Sequence, residues 1–502
     1  MEEQAAKLST LRLYLVTSAM LGIQYAWAVQ VGVTTAVLLE LGMTARWVSL
    51  AWLAGPIAGL VVQPLVGLLS DRSSSRHGKR RPFVAVGAVL TSASLLAFAY
   101  AVPIARRSRF LTPLFVAVSA FWCLDFSINA MQGPLRALIF DHVEAAEQER
   151  GNVAIAVYIA IGNLVGSAMA GAALTRDTFL RHVFSTDTEA LYTIGAVLVL
   201  GTAAVCWVAS APLARNRSCP AQTTPWTVPE SDNVRLPIPD TESMDEAESD
   251  NCRELASRSP GMMRATGLTL KPVASQLLSL VQHCRRALKT ASTTFWVVFL
   301  IQLGTWYGWF SLFVFGSSWF GVNVFGGDPH ALAGSIARER YEAGIRHANV
   351  ALALQSIIAF LYAMLMPQIQ YRVWRLSPMQ VKYGFSLVVQ ATVLLALATI
   401  GARNVVLAVC LQAVLGISWA TSITIPWALV GASVANSNAR DAAGTFATLF
   451  NASQCFPEIA VALLSPVLGR HASVAVQHNR VLTSGAIMVG LSTLLVPFVH
   501  RS

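Results

Sequence analysis

The chain has 502 residues, of which 55% are hydrophobic and only 12% are charged. Soluble domains carry about 25% charged residues, so the composition excludes a soluble protein with one anchor and indicates a membrane protein with many spans. The formal net charge of +10 does not indicate nucleic-acid binding, because the basic residues fall mainly in loops between apolar segments.

Twelve apolar segments are long enough to cross a bilayer, and they are predicted to be helices because lipid leaves backbone polar groups no other partners. Their approximate limits are 12–39, 47–70, 82–104, 111–140, 152–174, 190–213, 293–320, 347–370, 379–400, 404–432, 441–468 and 480–499. This predicts an all-α membrane protein with one six-helix bundle over 1–213 and a second over 293–502. A central site is expected between the two similar halves.

The segment between the halves, 214–292, differs from the rest in composition. It is rich in Pro, Ser, Asp and Glu and poor in aromatic residues, as in "PWTVPESDNVRLPIPDTESMDEAESDN". Such a composition predicts a disordered linker. Its last part, roughly 271–290, could form an amphipathic helix at the membrane surface.

The orientation follows from one basic loop. The stretch "GLLSDRSSSRHGKRRPF" (67–83) places five Lys and Arg residues between the second and third spans. The positive-inside rule assigns this loop to the cytoplasm, and with it both termini and the linker. We expect the plasma membrane rather than an internal membrane.

The first span carries three polar or aromatic side chains on a broad face, Gln24, Trp27 and, near its edge, Gln30. Amides can bond hydroxyl groups and an aromatic ring can pack on a C–H surface, so this face is a candidate for binding a sugar. Aromatic residues also line ordinary helix interfaces, and that alternative stays open.

The fourth span, within "WCLDFSINAMQGPLRALIFD" (122–141), contains Asp125, Asn129, Gln132 and Arg136. At about 100° per residue these four form one polar stripe, and Asp125 and Arg136 are about 16 Å apart along a regular helix. Water, a ligand or facing helices must therefore separate them. A charge at membrane depth is costly and usually marks a transport path. The alternative is a buried polar network that only fixes helix packing.

A second acidic residue inside a predicted span is Glu458, in "CFPEIAVALL". It is either a second titrating group or a residue beside a kink at Pro457 that reaches solvent.

We find no P-loop, no nucleophile paired with a base and no metal-ligand cluster. The chain is therefore expected not to be an enzyme and to use no cofactor or metal.

Several stretches resemble the plant sucrose–proton symporters of the glycoside–pentoside–hexuronide branch of the major facilitator superfamily. They are "GIQYAWAVQ" (22–30), "WLAGPIAGLVVQPLVGLLSDR" (52–72), "RHGKRRPF" (76–83), "LDFSINAMQGPLRAL" (124–138), "VLGISWATSITIPWAL" (414–429) and "SNARDAAGTFATLFNASQCFP" (437–457). The resemblance implies a major facilitator fold that rocks around a central site, and proton-driven uptake of a glucoside. It places Asp125 at the family's proton-binding carboxylate and Arg136 at its essential arginine.

The resemblance also gives the basic loop a second interpretation. Asp71, Arg72, Arg80 and Arg81 match the superfamily's loop signature, which implies a cytoplasmic gate between the halves. A loop that only sets the orientation in the membrane is the simpler alternative, and both can hold.

The sequence departs from the plant family in the seventh span and in one loop. The family's charges there correspond to Gly316, Ser318, Val322 and Asn323, and its loop histidine corresponds to Ala45. We therefore expect a broader sugar specificity than in the plant family, because only neutral groups such as Ser317 lie near these positions.

Two tryptophans of the same span, Trp306 and Trp309, are candidates to pack on a sugar ring. Together these observations predict a monomeric transporter whose partners are a sugar, a proton and the lipid bilayer. The alternatives are an uncoupled facilitator for a monosaccharide or polyol, and a transporter-like membrane sugar sensor.

Overall fold

The computed structural model describes residues 9–215 and 289–499, except for 72, 74, 109, 143–147, 290, 372, 374, 375 and 436–442. Almost all of the predicted linker, 214–292, lies outside these residues. The surface helix predicted at 271–290 lies outside them as well, so neither prediction is tested.

The first half contains six long helical segments, which we name spans 1 to 6. Span 1 comprises Thr10–Thr17 and Ala19–Glu40, and span 2 comprises Ala45–Ala51, Ala54–Ile57, the π-helix Ala58–Val62 and Gln63–Asp71. Spans 3 to 6 are Arg81–Ala99 with Ala101–Arg106, Pro113–His142, Gln148–Gly171 and Asp187–Arg215. Two short helices, Leu174–Asp177 and Phe179–His182, connect the last two spans.

The second half repeats this plan as spans 7 to 12. Spans 7 to 9 are Thr293–Trp319 with the π-helix Phe320–Val324, Ile336–Leu365 with Met366–Gln368, and Pro378–Thr399 with Gly401–Arg403. Spans 10 to 12 are Val405–Ser422 with Ile425–Ala435, Ala443–Leu468, and Val474–Thr493 with Val496–Phe498.

Eleven of these spans are long and apolar enough to cross a membrane, among the residues described. Span 11 is not among the eleven, although it has 26 residues. It carries Asn451, Gln454 and Glu458, which lower its mean hydropathy. Long helices thus occur at all twelve predicted positions, and eleven of them meet the criterion for a span.

Two spans begin well before their predicted limits. Span 8 begins at Ile336 rather than near 347, and Ser335 caps it by accepting a hydrogen bond from the Arg338 backbone. Span 12 begins at Val474 rather than near 480, capped in the same way by Ser473. Hydropathy missed these first turns because they are polar, whereas capping and helix propensity extend the helix past the apolar segment.

Within each half the helices pack closely where small residues allow it. A Cβ at Gly87 of span 3 would lie 2.7 Å from Met131 Cβ of span 4, and one at Gly344 of span 8 would lie 2.5 Å from Gly321 Cα of span 7. Both contacts exclude any larger residue without movement of the helices, which is typical of helix association in membranes.

The hydrogen bonds between the two halves that the structure describes gather at one end. Thr35 Oγ1 donates to Val314 O at 2.7 Å, Ser49 Oγ to Ala462 O at 3.0 Å, and Asn349 Nδ2 to Gly32 O at 3.2 Å. The predicted orientation assigns this end to the outer face. The structure is therefore closed between the halves at this end, which we call the outer end in accordance with the predicted orientation.

Candidate functional site

The centre of the polar region is the carboxylate of Asp125 on span 4. Asp125 is 1% exposed, and Gln30 Nε2 of span 1 donates to its Oδ1 at 2.9 Å. The second oxygen, Oδ2, is buried and has no hydrogen-bond partner, and the same holds for Gln30 Oε1. Gly55 of span 2 lies beside Oδ2, since a Cβ at that position would be 3.9 Å away. One carboxylate oxygen is thus held and the other is enclosed and unpaired.

The predicted stripe on span 4 runs from buried to exposed positions. Asn129 is buried and its Nδ2 donates to the Asp125 backbone oxygen at 2.9 Å. Gln132 is half-buried, and Arg136 is exposed. Spans 1 and 2 enclose Asp125, whereas Arg136 keeps part of its surface uncovered by other residues, so the stripe runs from an enclosed carboxylate to a less enclosed guanidinium. The predicted separation of the two charges along the helix fits this arrangement.

A second carboxylate approaches Asp125 from the other half. Glu458 of span 11 is half-buried and close enough to interact electrostatically with Asp125. One turn earlier, Cys455 packs against span 2, where a Cβ at Gly59 would lie 3.0 Å from its sulfur. The sequence identified both acids, but nothing in it indicated that they would be neighbours.

The predicted first-span residues have different environments. Gln24 and Trp27 are both half-buried, and Trp27 packs against the apolar core of the first half. Gln30 is fully buried, and its amide is engaged with Asp125. The structure thus gives Gln30 a role in holding the carboxylate, while Gln24 and Trp27 keep part of their surface accessible.

The two tryptophans of span 7 also differ. Trp309 is fully buried, and its Nε1 donates to Ser422 Oγ at 3.1 Å. It lies against Phe313 and Trp419, with ring centroids 5.9 and 5.1 Å away. Its ring is therefore part of the packing of the second half in this structure, and its contact with a sugar stays a prediction. Trp306 is half-buried and remains a candidate.

The described contacts of the basic loop lie within the first half. Arg80 Nη1 donates to Ser70 Oγ at 2.6 Å, and Arg81 Nη2 donates to Trp207 O of span 6 at 2.6 Å. The Arg81 guanidinium also stacks over the Trp207 ring at 4.1 Å. Arg72 and the Asp71 side chain fall outside the described part of the chain. Arg81 thus anchors the loop to span 6, and a cytoplasmic gate between the halves stays a prediction.

An ion pair joins the halves at the outer end. Arg338 Nη2 of span 8 lies 2.6 Å from Glu40 Oε2 of span 1, and its Nε lies 2.9 Å from Glu342 Oε1. Hydropathy does not indicate this pair, because Glu40 lies just after the predicted limits of span 1 and Arg338 lies before those of span 8. The i,i+4 spacing of Arg338 and Glu342 was the available signal for a helix there.

Two of the four neutral residues at the seventh-span positions named above, Ser318 and Asn323, form hydrogen bonds within the second half. Asn323 Nδ2 donates to Ala475 O at 2.9 Å and to Asn479 Oδ1 at 3.0 Å. Ser318 is buried and accepts from the Tyr341 hydroxyl at 3.5 Å. Both therefore serve the packing of spans 7, 8 and 12.

Two helical halves around a buried polar site at membrane depth define the class of secondary membrane transporters. The family model described as Major Facilitator Superfamily matches residues 15–460. The chain belongs to the major facilitator superfamily.

The most similar relatives include three plant proteins. The sucrose transport protein SUC4 of Arabidopsis thaliana is 28% identical over 445 residues, which cover 85% of this chain and 78% of that protein. The sucrose transport protein SUC3 of the same plant is 25% identical, covering 75% and 67%. The sucrose transport protein SUT1 of Oryza sativa subsp. japonica is 29% identical, covering 71% and 61%. The resemblance to plant sucrose transporters is thereby confirmed.

Solved structures confirm the fold. A D-xylose–proton symporter gives a TM-score of 0.60 at 14% identity, covering 97% of each chain. An inward-facing, unoccupied bacterial homologue of the lysosomal transporter Spinster gives 0.59 at 11% identity, covering 98% of this chain and 96% of that one.

Proposed function

We propose that the chain is a symporter that carries sucrose or a related glucoside together with a proton. The plant relatives named above are sucrose transport proteins, and the polar site lies between the halves where an alternating-access transporter binds its substrate. The observation that carries the proposal is the enclosed Oδ2 atom of Asp125, which has no partner.

The proton would bind at Asp125. An ionised carboxylate with one buried, unpaired oxygen is unfavourable, whereas a proton on that oxygen removes the charge. Glu458, when ionised, would add a negative charge from the other half within electrostatic reach of Asp125. When the halves separate around the site, the hydration of Asp125 and its distance from Glu458 change, so its affinity for a proton differs between the two states. That difference couples proton movement to the conformational change.

The sugar would bind on the accessible side of this carboxylate. Amides donate and accept hydrogen bonds, and a guanidinium donates several in a fixed plane. Aromatic rings supply an apolar surface for the sugar's C–H faces. The proposed contacts are Gln24, Trp27, Asn129, Gln132, Arg136 and Trp306. Gln30 positions Asp125 instead.

The proposal is tested by uptake of labelled sucrose, other glucosides and hexoses into transporter-null cells at two external pH values. A symporter gives concentrative uptake that rises as external pH falls. A pH-independent flux that only equilibrates the sugar would refute coupling. Normal surface expression without any flux would refute transport and favour a sensor.

The proposal includes a plasma-membrane location and a monomer as the functional unit. The groups proposed to bind proton and sugar all come from one chain, and uptake from the outside requires the cell surface. Fluorescence of a tagged chain, and its mass in detergent or nanodiscs, would test both points.

A further inference from the structure

A small cavity lies between the halves, where span 1 meets spans 7, 8 and 10. On the first-half side it is lined by Val31, the residue that follows Gln30. On the second-half side it is lined by spans 7, 8 and 10, including Ser317 and Gln412. The sequence patterns singled out neither the cavity nor Gln412, since both depend on how the two halves meet.

The polar groups on the second-half side are neutral and suited to a ligand's hydroxyl groups. Ser317 is 4% exposed, and its Oγ has no hydrogen-bond partner. Gln412 is 3% exposed, and its Nε2 donates to Gln355 Oε1 at 2.7 Å, which fixes its orientation. A serine hydroxyl and a carboxamide can each donate and accept, as can a sugar hydroxyl. None of the described residues that line the cavity is charged.

We propose that Ser317 and Gln412 form a second sugar subsite, on the half opposite Asp125, with Gln355 as the positioning residue for Gln412. The inference rests on the proposed function and adds the residues that select among sugars. A buried unpaired hydroxyl is unfavourable, and a sugar hydroxyl would satisfy it. The neighbouring neutral groups do not compete for this role, because Ser318 and Asn323 are bonded within the second half. The Phe313 ring adds an apolar wall to the same cavity.

The test uses Ser317→Ala and Gln412→Met in the full-length protein, with Ser311→Ala as the matched control. Ser311 lies on the same helix, but its Oγ donates to Tyr307 O and faces span 12 rather than the cavity. Ser317→Ala removes a hydroxyl that makes no described bond, so it should not harm folding. Uptake of labelled sucrose gives KM and maximal rate, and inhibition by each monodeoxy sucrose gives the contribution of each hydroxyl.

For Ser317→Ala and Gln412→Met the KM should rise about fivefold or more, while the maximal rate per surface-expressed molecule stays within about twofold. The wild-type protein should bind one or two deoxy analogues less well, and each variant should lose the preference for one of those hydroxyls only. Ser311→Ala should behave as the wild type.

Three results would refute the subsite, and only the last of them would also refute the proposed function. Wild-type transport with an unchanged KM and an unchanged hydroxyl profile in Ser317→Ala and Gln412→Met refutes the subsite and leaves the proposed function intact. A uniform loss of affinity for every analogue indicates a structural role and also refutes it. Wild-type protein that neither transports nor binds any sugar of the panel refutes the proposed function, and the subsite with it.

Discussion

Neutralising Glu40 should favour opening of the outer end. In the structure, the Glu40 and Arg338 side chains are 26% and 15% exposed and approach to 2.6 Å, so the pair is largely shielded from water. Arg338 keeps Glu342 as a second partner, so Glu40→Gln removes one charge-assisted hydrogen bond rather than leaving a buried charge alone. Such a bond contributes roughly 1.5–3 kcal/mol. Because Glu40 and Arg338 belong to different halves, this energy is lost only from the outer-closed state.

The expected effect is a change in population. At about 2 kcal/mol the ratio of outer-open to outer-closed molecules rises about 30-fold. An open fraction of about 1% would then become about 20%. Arg338→Gln should act in the same direction. The double variant should show less than the sum of the two single effects, because the interaction is already absent in each single variant.

The assay is a pair of spin labels at Trp47 and Leu332, which are 49% and 84% exposed and lie near the outer ends of opposite halves. The exposed native cysteines Cys123 and Cys410 must first be replaced, together with Cys219, Cys252 and Cys284 of the segment between the halves. Pulsed distance measurements in nanodiscs then report the open fraction. Glu339→Gln, a change at an exposed acid on the same helix, is the control. Distance distributions that stay unchanged in both Glu40→Gln and Arg338→Gln would refute the role of this pair in closing the outer end.

Asp125→Asn should abolish sugar-induced proton currents and concentrative uptake but retain some sugar exchange, because an amide resembles the neutral acid without releasing a proton. If this variant still accumulates sugar in a pH-dependent way, Asp125 is not the coupling site and Glu458 is the next candidate. Arg136→Lys should also lose uptake, since an ammonium cannot reproduce the planar donor group of arginine, and near-normal currents in this variant would contradict that. Deleting about residues 222–262 should leave transport per surface-expressed molecule within a few-fold, and loss of flux at a normal surface level would count against a dispensable linker. Several glucosides or hexoses should inhibit uptake to a similar extent. Charged groups distinguish strongly between sugars with different hydroxyl patterns, and neutral groups replace them here. Strict selectivity for sucrose would show this reasoning to be wrong.

The sequence by itself determined the membrane class, the positions of the long helices and the polar stripe on span 4. These properties are local: hydropathy over about 20 residues predicts a span, and a helical period places Asp125, Asn129 and Arg136 on one face. The resemblance to sucrose transporters came from short motifs that are local as well. Where local signals were weak, as in the polar first turns of spans 8 and 12, the predicted limits were displaced.

Only the tertiary structure decided which side chains meet across the two halves. It brought Glu458 within electrostatic reach of Asp125 and let Gln30 donate a hydrogen bond to the Asp125 carboxylate. It also enclosed Trp309 in the packing of the second half and paired Glu40 with Arg338. Each of these outcomes depends on the rotation of one helix about its axis and on its depth relative to another. Those quantities are set by the packing of many side chains from distant parts of the chain, so no single segment of sequence contains them.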